Sequence, residues 1–297
     1  MTKWLRENLW RHTFAIIMCV FALFPLYLVV LSSFNPTGSL NLTSFVPREI
    51  SFENYKMLFS SPKIPFLSWV KNSLIIASVV AISSVVIGAA SAFAFSRLKF
   101  KGKKFGIQLL LLVQMFPSIL ALSAVYVIME RVYSFAPSIG LGSQAGLILV
   151  YLGGSMGVNI WLLKGFVDSI PAELDEAAKI DGASPVQTYW LIFIPLATPV
   201  LAVVCLLSFI GTFNEFIVAR LFLVEMSGRT VAVGLQQFIG GQYASNWGAF
   251  AAGSILASIP IVIIFFIVHR NFFEIFHLVI HFNFKHNFRI IIRFFNF

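Results

Sequence analysis

The stretch SLIIASVVAISSVVIGAASAFAF, residues 73–95, holds no charged residue and no proline. A bilayer core of roughly 30 Å needs about 20 mostly apolar residues in a helix, and this run meets that length. It is too long and too uniformly apolar for a barrel strand. Five comparable runs surround it, at approximately 13–33, 105–128, 144–163, 191–213 and 248–268. The expected fold class is therefore all-α: a polytopic membrane protein with six transmembrane helices. Composition points the same way, because 59% hydrophobic and 11% charged residues over 297 positions is too apolar for a soluble domain. The net charge of +9 then reads as cytoplasmic loops facing anionic headgroups, and no nucleic-acid partner is expected.

Working outward, the apolar run is followed by RLKFKGKK, residues 97–104, while Lys3, Arg6 and Arg11 precede the first span. Two helices separate these basic stretches, so they share a side, and Lys and Arg mark it as cytoplasmic. Residues 1–12 become a cytoplasmic N-terminus, 13–268 a six-span domain, and both termini lie inside. RLKFKGKK itself reads as a topology anchor. The first apolar run is longer than a signal-peptide core and no A-x-A site follows it, so it reads as an uncleaved helix. Pro25, Pro117, Pro195, Pro199, Pro260 and the pair Gly153–Gly154 fit bent helices, and fit equally the ordinary composition of membrane helices.

The polar inventory excludes several classes. Lys71, Glu130, Arg131, Glu215 and Arg220 all sit at or beyond span ends, whereas ion-driven carriers hold ionisable groups at mid-membrane depth. Gln114 and Asn159 read as interhelical hydrogen-bonders. No phosphate-binding loop and no H-E-x-x-H occurs, and Cys19 and Cys205 read as packed thiols. We therefore expect no catalytic, cofactor-binding or metal-ligating residue, and an energy source on another polypeptide.

One loop stands apart. Between spans four and five come five carboxylates, Asp168, Glu173, Asp175, Glu176 and Asp181. Ser169 suits a helix cap, Pro171 a first turn, and the acids at 173, 175 and 176 the positive end of a helix dipole. Gly182 suits a helix stop, and Ser184-Pro185-Val186-Gln187 reads as a capping box opening a second helix. Leu174, Ala177, Ala178 and Ile180 give a thin apolar side, and the small residues Ala177, Ala178 and Gly182 allow another backbone close. A thin apolar side with negative net charge suits anionic lipid poorly, so the loop reads as a protein-docking element.

Glu176-Ala177-Ala178, Gly182 and Ile192-x-Ile194-Pro195 resemble the EAA loop of bacterial ABC importer permeases, with Ile194 where that family has leucine. Further blocks are QMFPSILALSAVY (114–126), YLGG (151–154), KGFVDSIPAELDEAAKIDGASP (164–185), AVGLQQF (232–238) and NWGAFAAGS (246–254). Together they resemble the smaller inner-membrane permease subunit of maltose/maltodextrin importers, over nearly everything to about Arg270. The resemblance implies a cytoplasmic coupling helix within 168–195 that sits in a cleft of an ATPase subunit. Its coupling residues would be Glu173, Glu176, Ala177, Ala178, Asp181, Gly182, Ile192 and Pro195. It also implies a second homologous permease, two ATPase subunits carrying ATP and Mg, a periplasmic sugar-binding protein and an inner-membrane location. GGQYASNW (240–247) would reach towards the binding protein, with Gln242, Tyr243 and Trp247 as contacts, or would be an ordinary surface loop with interfacial aromatics. An importer of another oligosaccharide or of glycerol phosphate stays open beside the maltose reading; a secondary carrier is the remote alternative.

Residues 269–297 form an atypical basic tail rich in Phe, Ile and Asn. It reads either as frameshifted or read-through sequence or as an interfacial cationic helix, and the family's own C-terminal contact is not carried over to it.

Overall fold

In the described residues, 2–36, 49–240 and 245–281, every regular element of the computed structural model is helical; side chains are described for 8–36, 49–240 and 245–270. In chain order the helices are α1 (Thr2–Ser33), α2 (Glu53–Ser60), α3 (Phe66–Arg97), α4 (Lys103–Met115), α5 (Ser118–Phe135) and α6 (Gln144–Ser169). There follow α7 (Glu173–Ile180), α8 (Pro185–Thr188), α9 (Ile194–Asn214), α10 (Ile217–Phe222), α11 (Val231–Leu235) and α12 (Trp247–His281). Among the described residues six segments are long and apolar enough to cross a membrane: Asn8–Ser33, Phe66–Arg97, Ser118–Phe135, Gln144–Ser169, Pro185–Asn214 and Trp247–Arg270.

The third span differs from its sequence expectation. The apolar run 105–128 is two helices, α4 and α5, and only α5 qualifies as a span. Pro117 carries no N–H to offer Val113, whose carbonyl takes the Phe116 N–H instead at 3.3 Å. Phe116, preceding the proline, is extended at φ −76°, ψ 125°. Pro25, Pro199 and Pro260 lie inside α1, α9 and α12, and α6 runs unbroken through Gly153–Gly154. The Ser143 side chain caps α6, accepting the Gly146 N–H at 2.9 Å. The backbone of α12 continues helical into the atypical tail as far as His281.

By contacts the chain divides into two units, Met1–Ile75 with Glu215–Ile261, and Ile76–Asn214 with Val262–Phe297. In the first, Trp69 is fully buried and its Nε1 donates to the Met226 carbonyl at 2.7 Å. Asn72 Nδ2 donates to the Ser227 and Arg229 carbonyls at 2.8 and 3.0 Å, and Val231 N–H donates to Ser73 Oγ at 2.8 Å. Gly234 permits this packing, because a Cβ there would lie 2.3 Å from the Trp69 ring. The sides of α1 are exposed from Leu9 to Tyr27, surface for lipid or a partner helix. Cys19 is exposed with them and so is not the packed thiol expected.

In the second unit α3, α6 and α9 meet around Ala89, Ala92, Phe93, Leu163, Val167, Phe193, Ala197 and Val204. Asn159 Nδ2 donates to Ser208 Oγ at 3.0 Å, the interhelical bond expected of it. Gln114 is exposed and lies against Gly157 of α6; near the end of α4 its side chain makes no hydrogen bond among the described residues, so it is not the interhelical hydrogen-bonder expected.

Candidate functional site

The loop between the fourth and fifth spans is built from three local devices. First, α6 ends at Ser169 because Ile170 precedes Pro171 and is extended at φ −73°, ψ 129°. The Ser169 hydroxyl donates back to the Phe166 carbonyl at 2.6 Å. It therefore does not cap α7 as the sequence suggested; the N-cap position falls to Ala172, with no side-chain bond. Asp168 likewise belongs to α6, one oxygen accepting from Ser96 Oγ and the other from Lys164 Nζ at 2.5 Å.

Second, α7 stops at Gly182, where φ is +82°. The Gly182 N–H donates to the Lys179 carbonyl at 3.1 Å and the Ala183 N–H to the Ala178 carbonyl at 2.9 Å. This paired closure needs a residue in the left-handed region, which glycine enters at low cost.

Third, α8 opens with the expected capping box: Ser184 N–H donates to Gln187 Oε1 at 2.8 Å, and Gln187 N–H to Ser184 Oγ at 3.3 Å. Residues Tyr189–Phe193 then form one π turn, closed by Ile194 N–H on the Tyr189 carbonyl. The widened turn falls just before Pro195, whose missing N–H leaves the Leu191 carbonyl without its usual donor.

These devices give α7 two unlike sides. Ala178 is buried at 1% exposure while Ile180 is 86% exposed. Glu173, Glu176, Asp181 and Gly182 are exposed, and Ala177 is half-buried. Val186 and Trp190, past the turn, are exposed as well. Further on, Ile192 is half-buried and Pro195 exposed at the start of α9. The other side is fastened. Arg97 Nε lies 2.9 Å from Asp175 Oδ2, with both side chains mostly out of solvent. Arg97 Nη2 also donates to the Val167 and Ile170 carbonyls at 3.1 and 2.6 Å.

Gln242 and Tyr243 lie outside the described residues. Trp247 is half-buried at the start of α12, edge-on to Phe250 at 6.0 Å. Asn246 caps that helix, its Oδ1 accepting the Ala249 N–H, while its own N–H donates to the Phe238 carbonyl at 2.7 Å. Among the described residues no three His, Cys, Asp or Glu side chains group so as to hold a metal ion.

Residues 84–273 match the family described as "Binding-protein-dependent transport system inner membrane component". The chain belongs to that family. The permease is 38% identical over 261 residues to the maltose/maltodextrin transport system permease protein MalG of Vibrio vulnificus (strain YJ016), covering 84% of this chain and 86% of the relative. It is 36% identical over 270 residues to MalG of Escherichia coli (strain K12), covering 87% and 90%. A crystal structure of a bacterial ABC transporter involved in import of the acidic polysaccharide alginate superposes with a TM-score of 0.71 at 21% identity, covering 89% of this chain and 95% of that one. Another, of a bacterial alginate ABC transporter in complex with alginate pentasaccharide-bound periplasmic protein, gives 0.65 at 15%, covering 90% and 95%. At these identities the two structures speak for the fold. The permease is thus a multi-pass inner-membrane component of a transport system and not itself an enzyme.

Sequence reasoning missed the fastening of its loop. Arg97 reads as one more positive residue in a basic stretch, yet in the permease it is the link between α3, α6 and α7. The missing signal is distance along the chain. Phe93, edge-on to Tyr189 at 5.3 Å and tilted against Phe193 at 5.5 Å, was hidden for the same reason.

Proposed function

We propose that this permease is one of two homologous membrane subunits of an ATP-driven, binding-protein-dependent importer of maltose and maltodextrins. The observation that carries the docking role is the two-sidedness of α7: one side tied down through Asp175 and Ala178, the other offering Ile180 and exposed carboxylates. The sugar class rests on the maltose/maltodextrin relatives, which match along most of the chain.

In this reading the open side of α7 enters a cleft of one ATPase subunit. Burying an exposed isoleucine contributes roughly 1.5–3 kcal/mol, so Ile180 anchors the contact. Glu173, Glu176 and Asp181 select a basic surface around it, and Ala177 and Gly182 let the two backbones approach, while Ala178, named with them from the sequence, packs inside the chain and serves the fastened side. Nucleotide binding draws the two ATPase subunits together, carrying the coupling helices of both permeases and opening the path outward; hydrolysis on those subunits resets it. This chain holds no ATP or Mg. In this reading Gln242, Tyr243 and Trp247 are contact residues for a periplasmic sugar-binding protein, and both termini are cytoplasmic.

The test is labelled-maltose uptake by cells lacking only their smaller maltose permease subunit, supplied with this chain in full or ended after Arg270. Uptake from either form supports the reading, and uptake from the shorter form alone marks the tail as an obstacle to assembly. Membrane-inserted chain that retains ATPase subunits but moves no maltose would assign another sugar. Failure to retain any ATPase subunit would refute the docking role.

A further inference from the structure

We propose that Arg97 is a positioning residue for coupling: it makes α3 and the coupling helix move as one body. The inference rests on the reading that α7 docks on the ATPase subunit. Arg97 is the last residue of α3, and its guanidinium meets two helix ends of opposite polarity. At the end of α6 it takes the Val167 and Ile170 carbonyls, in the region where helix carbonyls run out of partners and the dipole is negative. At the start of α7 it pairs with Asp175, a carboxylate in the first turn, where the dipole is positive. A planar guanidinium reaches all three oxygens at once because its five N–H donors form a rigid fork. A lysine at this position can keep the Asp175 pair but cannot reproduce the fork.

Two further contacts place the same turn of α3 against both flanks of the loop. Ser96, adjacent to Arg97, donates to Asp168 of α6, and its own carbonyl accepts from Lys103 Nζ at 2.9 Å. On the far flank, Phe93 packs edge-on to Tyr189 at 5.3 Å and near Phe193 at 5.5 Å, within the π turn that leads into α9. Between α6 and α7 lie only Ile170, Pro171 and Ala172, a connection that could flex without moving a span. With Arg97 in place, a displacement of α7 is delivered to α3; without it, the displacement is absorbed in the connection.

The experiment uses the whole importer in proteoliposomes, with both permeases, the ATPase subunits and the binding protein, and reads maltose moved per ATP hydrolysed. Arg97→Ala should still retain the ATPase subunits, yet lower that ratio roughly tenfold, a typical size for lost coupling between sites. Arg97→Lys should recover part of it. Asp175→Asn leaves Arg97 on the two carbonyls and should also lower the ratio. An unchanged ratio in Arg97→Ala overturns the proposal. So does failure of Arg97→Ala and Arg97→Lys to assemble while Asp175→Asn keeps the parental ratio, since Arg97 is then a fold anchor only. Docking is read separately, by benzophenone cross-linking from Glu176→Cys in a chain lacking Cys19 and Cys205. An adduct with the ATPase subunit together with a normal Arg97→Ala ratio removes this inference alone, whereas no adduct removes the docking reading beneath it.

Discussion

Replacing Gly182 by alanine, asparagine and aspartate separates backbone strain from docking. The residue sits at φ +82°, and a Cβ built there meets nothing within 4 Å. The isolated subunit therefore imposes no steric penalty, only the cost of the left-handed conformation, about 1–2 kcal/mol for an ordinary L-residue. Asparagine and aspartate enter that region more readily than alanine, because their short polar side chains bond locally. Strain alone thus ranks alanine as the most damaging. Docking ranks the series differently. Gly182 is exposed beside Asp181, so Gly182→Asp puts bulk and a second carboxylate where the partner backbone should approach. We expect thermal stability of the purified subunit to be lowest for Gly182→Ala. Maltose uptake should be lowest for Gly182→Asp, by roughly 5–150-fold, the usual span of a coupling free energy. If uptake instead follows stability, with aspartate near wild type and alanine worst, the docking argument is wrong and the loop is only a connection.

The remaining predictions follow from single contacts. Ile180→Ser should leave the thermal stability of the subunit within about 0.5 kcal/mol, as expected at an exposed position, yet reduce ATPase retention in a pull-down; equal retention would remove Ile180 as an anchor. Trp69→Phe deletes the bond to the Met226 carbonyl, with an expected cost of about 1–3 kcal/mol from the acceptor left behind, and hydrogen exchange should rise across 223–231. Gly234→Ala drives a methyl group to 2.3 Å from the Trp69 ring; overpacking of this kind costs typically 1–3 kcal/mol or more, and membrane abundance should fall. Asn159→Ala removes one interhelical bond to Ser208, about 0.6–2 kcal/mol in a membrane, so uptake measured in cells should survive with only a small loss of thermal stability.

Much of this permease was decided locally, and locally decided features are legible in a sequence. An apolar run becomes a helix in lipid because every backbone group must bond within it, so the spans around residues 73–95 and the all-α class follow from composition alone. The Ser184–Gln187 capping box and the Gly182 stop were equally readable, since each is closed by groups a few residues apart. Ser169 was misread because one hydroxyl had two local choices, and the end of α6 took it. The break at Phe116–Pro117 was half legible: the proline is plain in the sequence, but membrane helices tolerate proline, as α1, α9 and α12 do here. Only the tertiary structure decided that Arg97 would meet Asp175, that Phe93 would meet Tyr189, and that Trp69 would brace the turn at Met226. These partners lie far apart along the chain, and hydrophobic periodicity carries no record of which distant surfaces meet. The charge of Arg97 was visible from the start; its role was set by the helix ends that packing brought within its reach.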